Sequence, residues 1–291
     1  MREVAVLGIG LTRVEEHWDK SLRELAGEAA LSAMQDAAVN RVDGIFVGNM
    51  MSSSANHQQH LGAHIADWIG MRYTEALHIE AACSSGAASF RSALMAVASG
   101  QMDVAMAIGV EKMSDSPSDE ITAQLATAAD ADWEAGNGLS FVALNALIMQ
   151  RYMYEYGWKH ADFAAFSINA HANAVHNPYA RFQSPINETA YLKSSLVAEP
   201  ISVMDASAMG DGSAAVILVP AEKLKASGGQ PLIRVVASAA ATDSMAVHNR
   251  RDPLWLTAAE KSSKQAYAQA GVNPADIDVF EVHDAFTIMA A

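Results

Sequence analysis

Along this chain, short unbroken apolar stretches alternate with longer segments in which apolar residues recur at helical spacing. Val4 to Ile9 is such a short run, closed by Gly10, and predicts a buried strand. From Ser21 to Ala38, Leu22, Leu25, Ala26, Ala29, Ala30, Ala33 and Met34 recur three and four residues apart with charges between them, the pattern of a helix with one buried face. Val42 to Val47 predicts a second strand ending at Gly48. A helical stretch around His60–Ile69, the run Leu77-His78-Ile79, a helix of small residues from Ser84 to Ser99 and a strand from Val104 to Val110 continue the alternation. Strands separated by helix-length segments predict a layered α/β fold with its sheet between helices.

The middle of the chain breaks this rhythm. Glu111 to Gly138 holds Pro117, many Ser and Asp residues and an Ala-rich stretch, and reads as an excursion from the core, a candidate lid. Leu139–Tyr156 and Asp162–Val175 predict helices, the second stopped at Asn177-Pro178-Tyr179, and Ser213 to Val219 predicts a strand with Pro220 opening a short helix. Ser227-Gly228-Gly229-Gln230-Pro231 is the clearest linker signal. After it the pattern restarts, with a strand over Leu232 to Ala237, a helix over Leu254 to Ala270 and a strand over Ile277 to Val282. This second strand–helix–strand unit stops in mid-pattern at Ala291, which leaves its apolar faces to be covered by another chain or by further residues of the same unit.

Length and composition narrow the class. A chain of 291 residues with 51% hydrophobic and 18% charged residues supports one large or two modest cores and excludes disorder, collagen and coiled coil. Its formal net charge of −14, with no local basic stripe, argues against a nucleic-acid or anionic-membrane surface. The N-terminus turns polar too soon for a signal peptide, and no apolar run spans a membrane without Gly or a charge. A cytoplasmic globular protein is expected. One cysteine, Cys83, excludes an intramolecular disulfide framework and a Cys-rich metal site.

That cysteine stands in His78-Ile79-Glu80-Ala81-Ala82-Cys83-Ser84-Ser85-Gly86-Ala87-Ala88, at the junction of a short strand and a small-residue helix. Backbone N–H groups and the positive end of a helix would face a thiol placed there and lower its pKa, which favours the nucleophilic thiolate. Gly86 and the alanines beside it would let helix and sheet approach closely. A lone cysteine is also among the most buried residue types, and spacing alone does not separate a nucleophile from a small core residue.

Three motifs in order tip that balance. Glu80-Ala81-Ala82-Cys83-Ser84-Ser85-Gly86 resembles the nucleophile motif of the thiolase superfamily, whose members make or cleave 3-ketoacyl-CoA thioesters. Ser207-Ala208-Met209-Gly210-Asp211-Gly212-Ser213-Ala214-Ala215 is similar to the segment closing that family's N-terminal half, with Ser213 where alanine is more usual. His283-Asp284-Ala285-Phe286 resembles its Asn-Glu-Ala-Phe motif, in the form of the archaeal-type and sterol-carrier-protein-type branches. The resemblance implies a layered α-β-α-β-α fold. A complete N-terminal-type domain would cover 1–226, with the excursion around 111–138, and a partial C-terminal-type domain would cover 231–291.

The resemblance also implies roles. Cys83 is the nucleophile, and its N–H is one oxyanion donor. His283 holds an ordered water in the oxyanion hole that stabilises the thioester enolate. Ser207 contacts the pantetheine arm, and Ala285 and Phe286 line the same tunnel. Coenzyme A thioesters are substrates, with no tightly bound cofactor and no metal. A homodimer or dimer of dimers and an OB-fold partner protein are the expected assemblies.

The family's later Gly-His-Pro histidine, which activates the nucleophile, and its Cys-x-Gly cysteine, an acid and base, do not occur in these 291 residues. We expect both to lie past Ala291. Without them carbon–carbon bond formation would be very slow. Their absence keeps two alternatives open, a non-catalytic CoA-thioester or lipid-binding protein and a retro-aldolase on CoA-linked side chains. A ketoacyl-synthase-like condensing enzyme also starts a helix with its cysteine, but the His-Asp-Ala-Phe motif speaks for thiolase.

Other patterns point less far. His171 and His176, and His57, His60 and His64, have near-helical spacing, but no zincin Glu joins them, so surface or cap roles are expected. Gly8-Ile9-Gly10 fails as a dinucleotide motif because Arg13 occupies the third glycine position. Asn249-Arg250-Arg251 offers two cations for CoA phosphates or an ordinary solvated pair.

Overall fold

The computed structural model describes residues 2–225 and 233–291. The linker signal at 227–231 and the first residue of the strand expected from Leu232 lie outside the described residues. In chain order the elements are β1 (Val4–Leu11), α1 (Leu22–Asp36), β2 (Gly44–Gly48), α2 (Leu61–Trp68), β3 (Glu75–Ile79), α3 (Ser85–Ser99) and β4 (Ala105–Glu111). Then follow α4 (Ser118–Ala126), α5 (Phe141–Tyr156), α6 (Ala164–Ala174), α7 (Glu188–Leu192), β5 (Leu196–Ala198) and β6 (Ile201–Ser202). The last are β7 (Gly212–Pro220), α8 (Ala221–Lys225), β8 (Ile233–Val235), α9 (Thr257–Ala270) and α10 (Thr287–Ala290). Two compact units result, Met1–Pro117 with Gly210–Ser238, and Ser118–Met209 with Ala239–Ala291. Both units draw on the segment 1–226, and both draw on 231–291.

The first unit is a six-stranded sheet in the order β3-β2-β4-β7-β1-β8. β2 pairs in parallel with β3 and β4, whereas β7 runs antiparallel to β4 and β1. On one face α1 and α2 pack Leu25, Ala29, Ala33, Leu61 and Ile65 against Ile45, Val47, Met106, Ile108 and Ile217. On the other, α3 packs Ala93 and Val97 against Val4, Phe46, Ala107 and Leu218. The helix–sheet–helix layering predicted from the alternation is therefore present, and β2, covered on both sides, is buried throughout, as an unbroken apolar strand should be. Each large aliphatic side chain fully buried here contributes about 1.5–3 kcal/mol.

Helix α1 starts where Ser21 donates its N–H to Glu24 Oε2 at 2.8 Å, the reciprocal half of a capping box. Its alanine face lies so close to β1 that a Cβ at Gly10 would stand 2.1 Å from Ala29 O, and one at Gly8 would stand 2.5 Å from Ala37 N. The glycine pair that superficially suggests a dinucleotide loop thus serves helix-to-strand packing.

Two expectations for the C-terminal segment need correction. The strand after the linker does not open a second sheet; β8 adds to the first, pairing antiparallel with Val4–Val6 of β1, whose edge has unpaired N–H and C=O groups to satisfy. Ile277 to Val282 forms no strand, and Val279 and Phe280 are 83% and 73% exposed. Strand-forming residues produce a strand only where an edge accepts their backbone bonds, and none among the described residues does so.

The second unit is mostly helical. The excursion predicted around 111–138 is longer than expected: from Ser118 to Met209 the chain belongs to this unit. α5 begins at Ser140, whose Oγ accepts from Ala143 N at 3.2 Å, and ends at Gly157 in the left-handed region, φ 70°. Its core is Ala146, Met149, Phe163, Ala164, Tyr191, Ile201, Phe286 and Ile288. Trp158 meets Phe163 edge-on at 5.0 Å and Tyr152 at 5.3 Å on the margin of this cluster.

Candidate active site

Strand β3 ends at Ile79 and α3 begins at Ser85, so Cys83 stands on the tight turn between them, exposed. Ala82, the residue before it, is held at φ 48°. For an L-residue that left-handed conformation costs about 1–2 kcal/mol, and it persists because the turn is fastened on both sides. Glu80 Oε1 accepts the Ala82 N–H at 2.5 Å, while Ser85 Oγ accepts from Ala81 N at 2.9 Å and donates to Ala82 O at 2.7 Å. Beneath the turn, the start of α3 rests directly on β2. A Cβ at Gly48 would stand 2.2 Å from Ser85 O, whereas one at Gly86 would meet nothing nearer than Gly109 Cα at 3.9 Å. The close approach is thus made by Gly48 rather than by Gly86, and Ser89 Oγ extends it by donating to Ile108 O at 3.2 Å.

The charge state of the thiol differs from the expectation. Desolvation by surrounding protein pushes the Cys83 thiol up from its ordinary value; its own N–H opposes this, and the Glu111 carboxylate adds to it. Two N–H groups at the entry to α3 are taken up by the turn rather than offered to a thiolate: Ser84 N donates to Ala81 O and Ser85 N to Ala82 O, both at 3.0 Å. The surroundings of Cys83 therefore favour its thiol over the thiolate.

Glu111 escapes the sequence pattern, where it reads as the first residue of the excursion. It is the last residue of β4, and it accepts from Asn49 Nδ2 at 2.7 Å, Met50 N at 3.0 Å and Met51 N at 3.3 Å. Asn49, at 1% exposure, also donates to Val110 O at 2.8 Å and accepts from Ser52 N at 2.7 Å. Its own backbone bonds Ile79 O at 3.2 Å through N–H and His78 Nε2 at 3.1 Å through the carbonyl. The signal that could have revealed this cluster is positional, since a carboxylate and an amide close two strands at the carboxyl end of a parallel segment, where α/β sheets place ligands.

In the second unit the structure brings two of the motifs together. Ser207 N donates to Ala285 O at 2.9 Å, and Ala206 pairs with Phe286 in an antiparallel bridge. Ser207 and His283 are exposed, Ala285 is half-buried, and Phe286 turns into the apolar cluster at 7% exposure. Behind the bridge lies Asp205, 2% exposed, which collects donors from His160 Nε2 at 2.7 Å, Thr287 Oγ1 at 2.7 Å, Ser202 N at 2.8 Å, Ser202 Oγ at 2.7 Å and the Tyr191 hydroxyl. The His160 ring stacks on Tyr191 at 4.8 Å. Thr287 directly follows the His283–Phe286 motif and Ser202 lies close to Ser207, but His160 and Tyr191 are remote in sequence from both motifs, which is why spacing did not reveal the cluster.

The remaining candidates separate cleanly. The spaced histidines contribute to no group of three metal-binding side chains among the described residues. Arg250 lines a cavity of about 600 Å³ with Tyr152, Trp255 and Leu256. Among the described residues no helix is long and apolar enough to cross a membrane.

The sheet with its covering helices, and a cysteine on the turn into α3, place the chain among layered α/β proteins. Residues 5–222 match the family described as thiolase, N-terminal domain, and residues 239–291 match the thiolase C-terminal domain-like family. The chain belongs to the thiolase family, and with it to the acyltransferase enzymes. It is 41% identical over 290 residues to the acetyl-CoA acetyltransferase of Methanothermobacter thermautotrophicus, covering 99% of this chain and 75% of that one. It is 39% identical to the acetyl-CoA acetyltransferase of Methanocaldococcus jannaschii, covering 99% and 74%. Among solved structures it resembles the Ltp2-ChsH2(DUF35) aldolase, with a TM-score of 0.80, 26% identity, and coverage of 99% of this chain and 74% of that chain.

Proposed function

We propose that this protein transfers acyl groups between coenzyme A and carbon through an acyl-cysteine on Cys83, forming or cleaving 3-ketoacyl-CoA. Cys83 attacks the thioester carbonyl, the carbon–sulfur bond to CoA breaks, and CoA leaves as its thiol with the proton the cysteine gives up. The backbone N–H of Cys83 receives the developing oxyanion. A second acyl-CoA, deprotonated at its α-carbon, then attacks the acyl-cysteine, and a water held by His283 stabilises the enolate. Ser207 contacts the pantetheine arm, and Ala285 and Phe286 shape the wall beside it. The observation that carries this reading is the accessible thiol on a strained turn that five hydrogen bonds and a glycine contact hold in place. A neutral thiol needs a base, the role the family gives to a Gly-His-Pro histidine. The segment 1–226 acts as the family's N-terminal domain and 231–291 as part of its C-terminal domain, in a homodimer or dimer of dimers.

The test is mass spectrometry of the full-length protein after incubation with acetyl-CoA. An acetyl adduct on Cys83, lost in Cys83→Ala, is expected. An unmodified wild-type protein would overturn the reading.

A second reading is a retro-aldolase on CoA-linked side chains that binds an OB-fold partner. The likeness to an aldolase solved with a DUF35 partner favours it. Cleavage of a CoA-linked β-hydroxy substrate in the absence of free CoA would establish it. Binding of acyl-CoA with neither adduct nor cleavage would instead mark a thioester-binding protein.

A further inference from the structure

We infer that Glu111 is a positioning residue for Cys83: through Asn49 it ties together the carboxyl ends of β2, β3 and β4, and it presents its carboxylate to the turn that carries the sulfur. The inference rests on Cys83 being the nucleophile. The cluster is fully bonded on the strand side. Three donors converge on the two Glu111 oxygens, and Asn49 links that carboxylate to Val110 of β4 and to Ile79 and His78 of β3. Because β3 runs from His78 and Ile79 straight into the turn, a displaced Glu111 moves the base on which Ala82 and Cys83 stand. The titratable side chains bonded into this cluster and turn are Glu111 from β4, His78 from β3 and Glu80 on the turn itself.

Burial raises the Glu111 pKa, while the Met50 and Met51 N–H groups and the Asn49 amide oppose this. Those donors are arranged to hold a carboxylate. Its charge and that of an ionised Cys83 repel, which adds to the burial that already favours the protonated thiol. This protects the nucleophile from adventitious alkylation and oxidation between turnovers.

Glu111→Gln keeps the size and most of the bonds but removes the charge. Cys83 is the only thiol in this chain, so in the protein described here iodoacetamide alkylation followed by mass spectrometry reports it alone. In Glu111→Gln the pH midpoint of alkylation is expected to fall by about half a unit or more, giving roughly threefold faster alkylation at pH 7. A folded Gln variant with the wild-type midpoint overturns the inference. If that variant does not fold, Glu111→Asp decides, since it keeps the charge but cannot span both loop N–H groups. A several-fold change in its limiting rate at high pH is expected, and a midpoint and limiting rate both equal to wild type overturn the inference. A merely structural Glu111 would change melting without moving the alkylation profile. An acyl adduct on Cys83 together with an unmoved profile defeats only this inference, whereas a shifted profile without any acyl adduct defeats the proposed function.

Discussion

Thr287 Oγ1 donates to Asp205 Oδ1 at 2.7 Å, tying the residue just past the His283–Phe286 motif to a carboxylate that has no access to water. Burial alone would raise the Asp205 pKa, but the hydroxyls of Thr287 and Tyr191, the His160 ring and the Ser202 N–H hold it below the usual carboxylate range. The bond therefore joins a charged acceptor to the segment that sets where His283 and Ala285 stand.

Thr287→Val removes this donor with little change of shape. The variant is expected to lose about 1.5–3 kcal/mol, the usual cost of a buried hydrogen bond to a charged group, with Thr287→Ser restoring most of it. Urea denaturation measures both. A Val variant with the wild-type midpoint would show that the remaining donors to Asp205 suffice.

Asp211, from the second motif, is a clamp in the first unit. Burial would raise its pKa, but the Ser114 hydroxyl and the N–H groups of His17, Met113 and Ser114 bring it down to about 2. Lys112 Nζ, itself 1% exposed, lies 3.2 Å away. A folded-state pKa below the unfolded value of about 3.9 means this stabilisation is complete above that value and disappears as pH falls through about 2. Lys112 keeps Asp115 at 3.0 Å, so Asp211→Asn should cost about 2–3 kcal/mol at pH 7, the linkage value of that pKa shift. The gap between variant and wild type should narrow steadily from pH 4 towards pH 2. Denaturant midpoints at pH 7, 4 and 2.5 check this, and a gap that does not depend on pH would assign the loss to shape rather than charge.

What could be read from the sequence follows from how far each feature depends on distant residues. α1 and the strands β1, β2, β4 and β7 each carry their own periodicity, and the Cys83 turn carries its own motif, so local reading locates them. The upward pKa shift of Cys83 does not, because the burial behind it and the Glu111 charge both come from distant residues, the latter through the pairing of β4 with β2, which places Gly48 opposite Gly109. Asp205 is likewise invisible from spacing, since its partners His160, Tyr191, Ser202 and Thr287 come from four separate stretches. The failure at Ile277–Val282 has the same origin: side chains show that a strand is affordable, but whether an edge is available is a property of the rest of the fold.

Gly48 and Gly86 are similar in sequence terms, both glycines beside the helix that follows Cys83, yet the packing separates them. A methyl group at Gly48 would meet the carbonyl of Ser85 at 2.2 Å, and neither the strand nor the first turn of α3 can move aside cheaply. Gly48→Ala is expected to cost about 1–3 kcal/mol, the range for overpacking a well-filled core, and to shift Cys83 with the helix. At Gly86 the nearest atom is 3.9 Å away, within ordinary contact. Gly86→Ala should gain up to about 1 kcal/mol from helix propensity. Thermal melts of the two variants, paired with the acyl-adduct measurement on Cys83, distinguish the roles. Gly48→Ala should lower both melting temperature and adduct formation. Gly86→Ala should leave melting equal or higher, so any loss of adduct there would come from the methyl group occupying space beside the sulfur. Equal destabilisation by both substitutions would mean that the start of α3 is not seated on β2 as described.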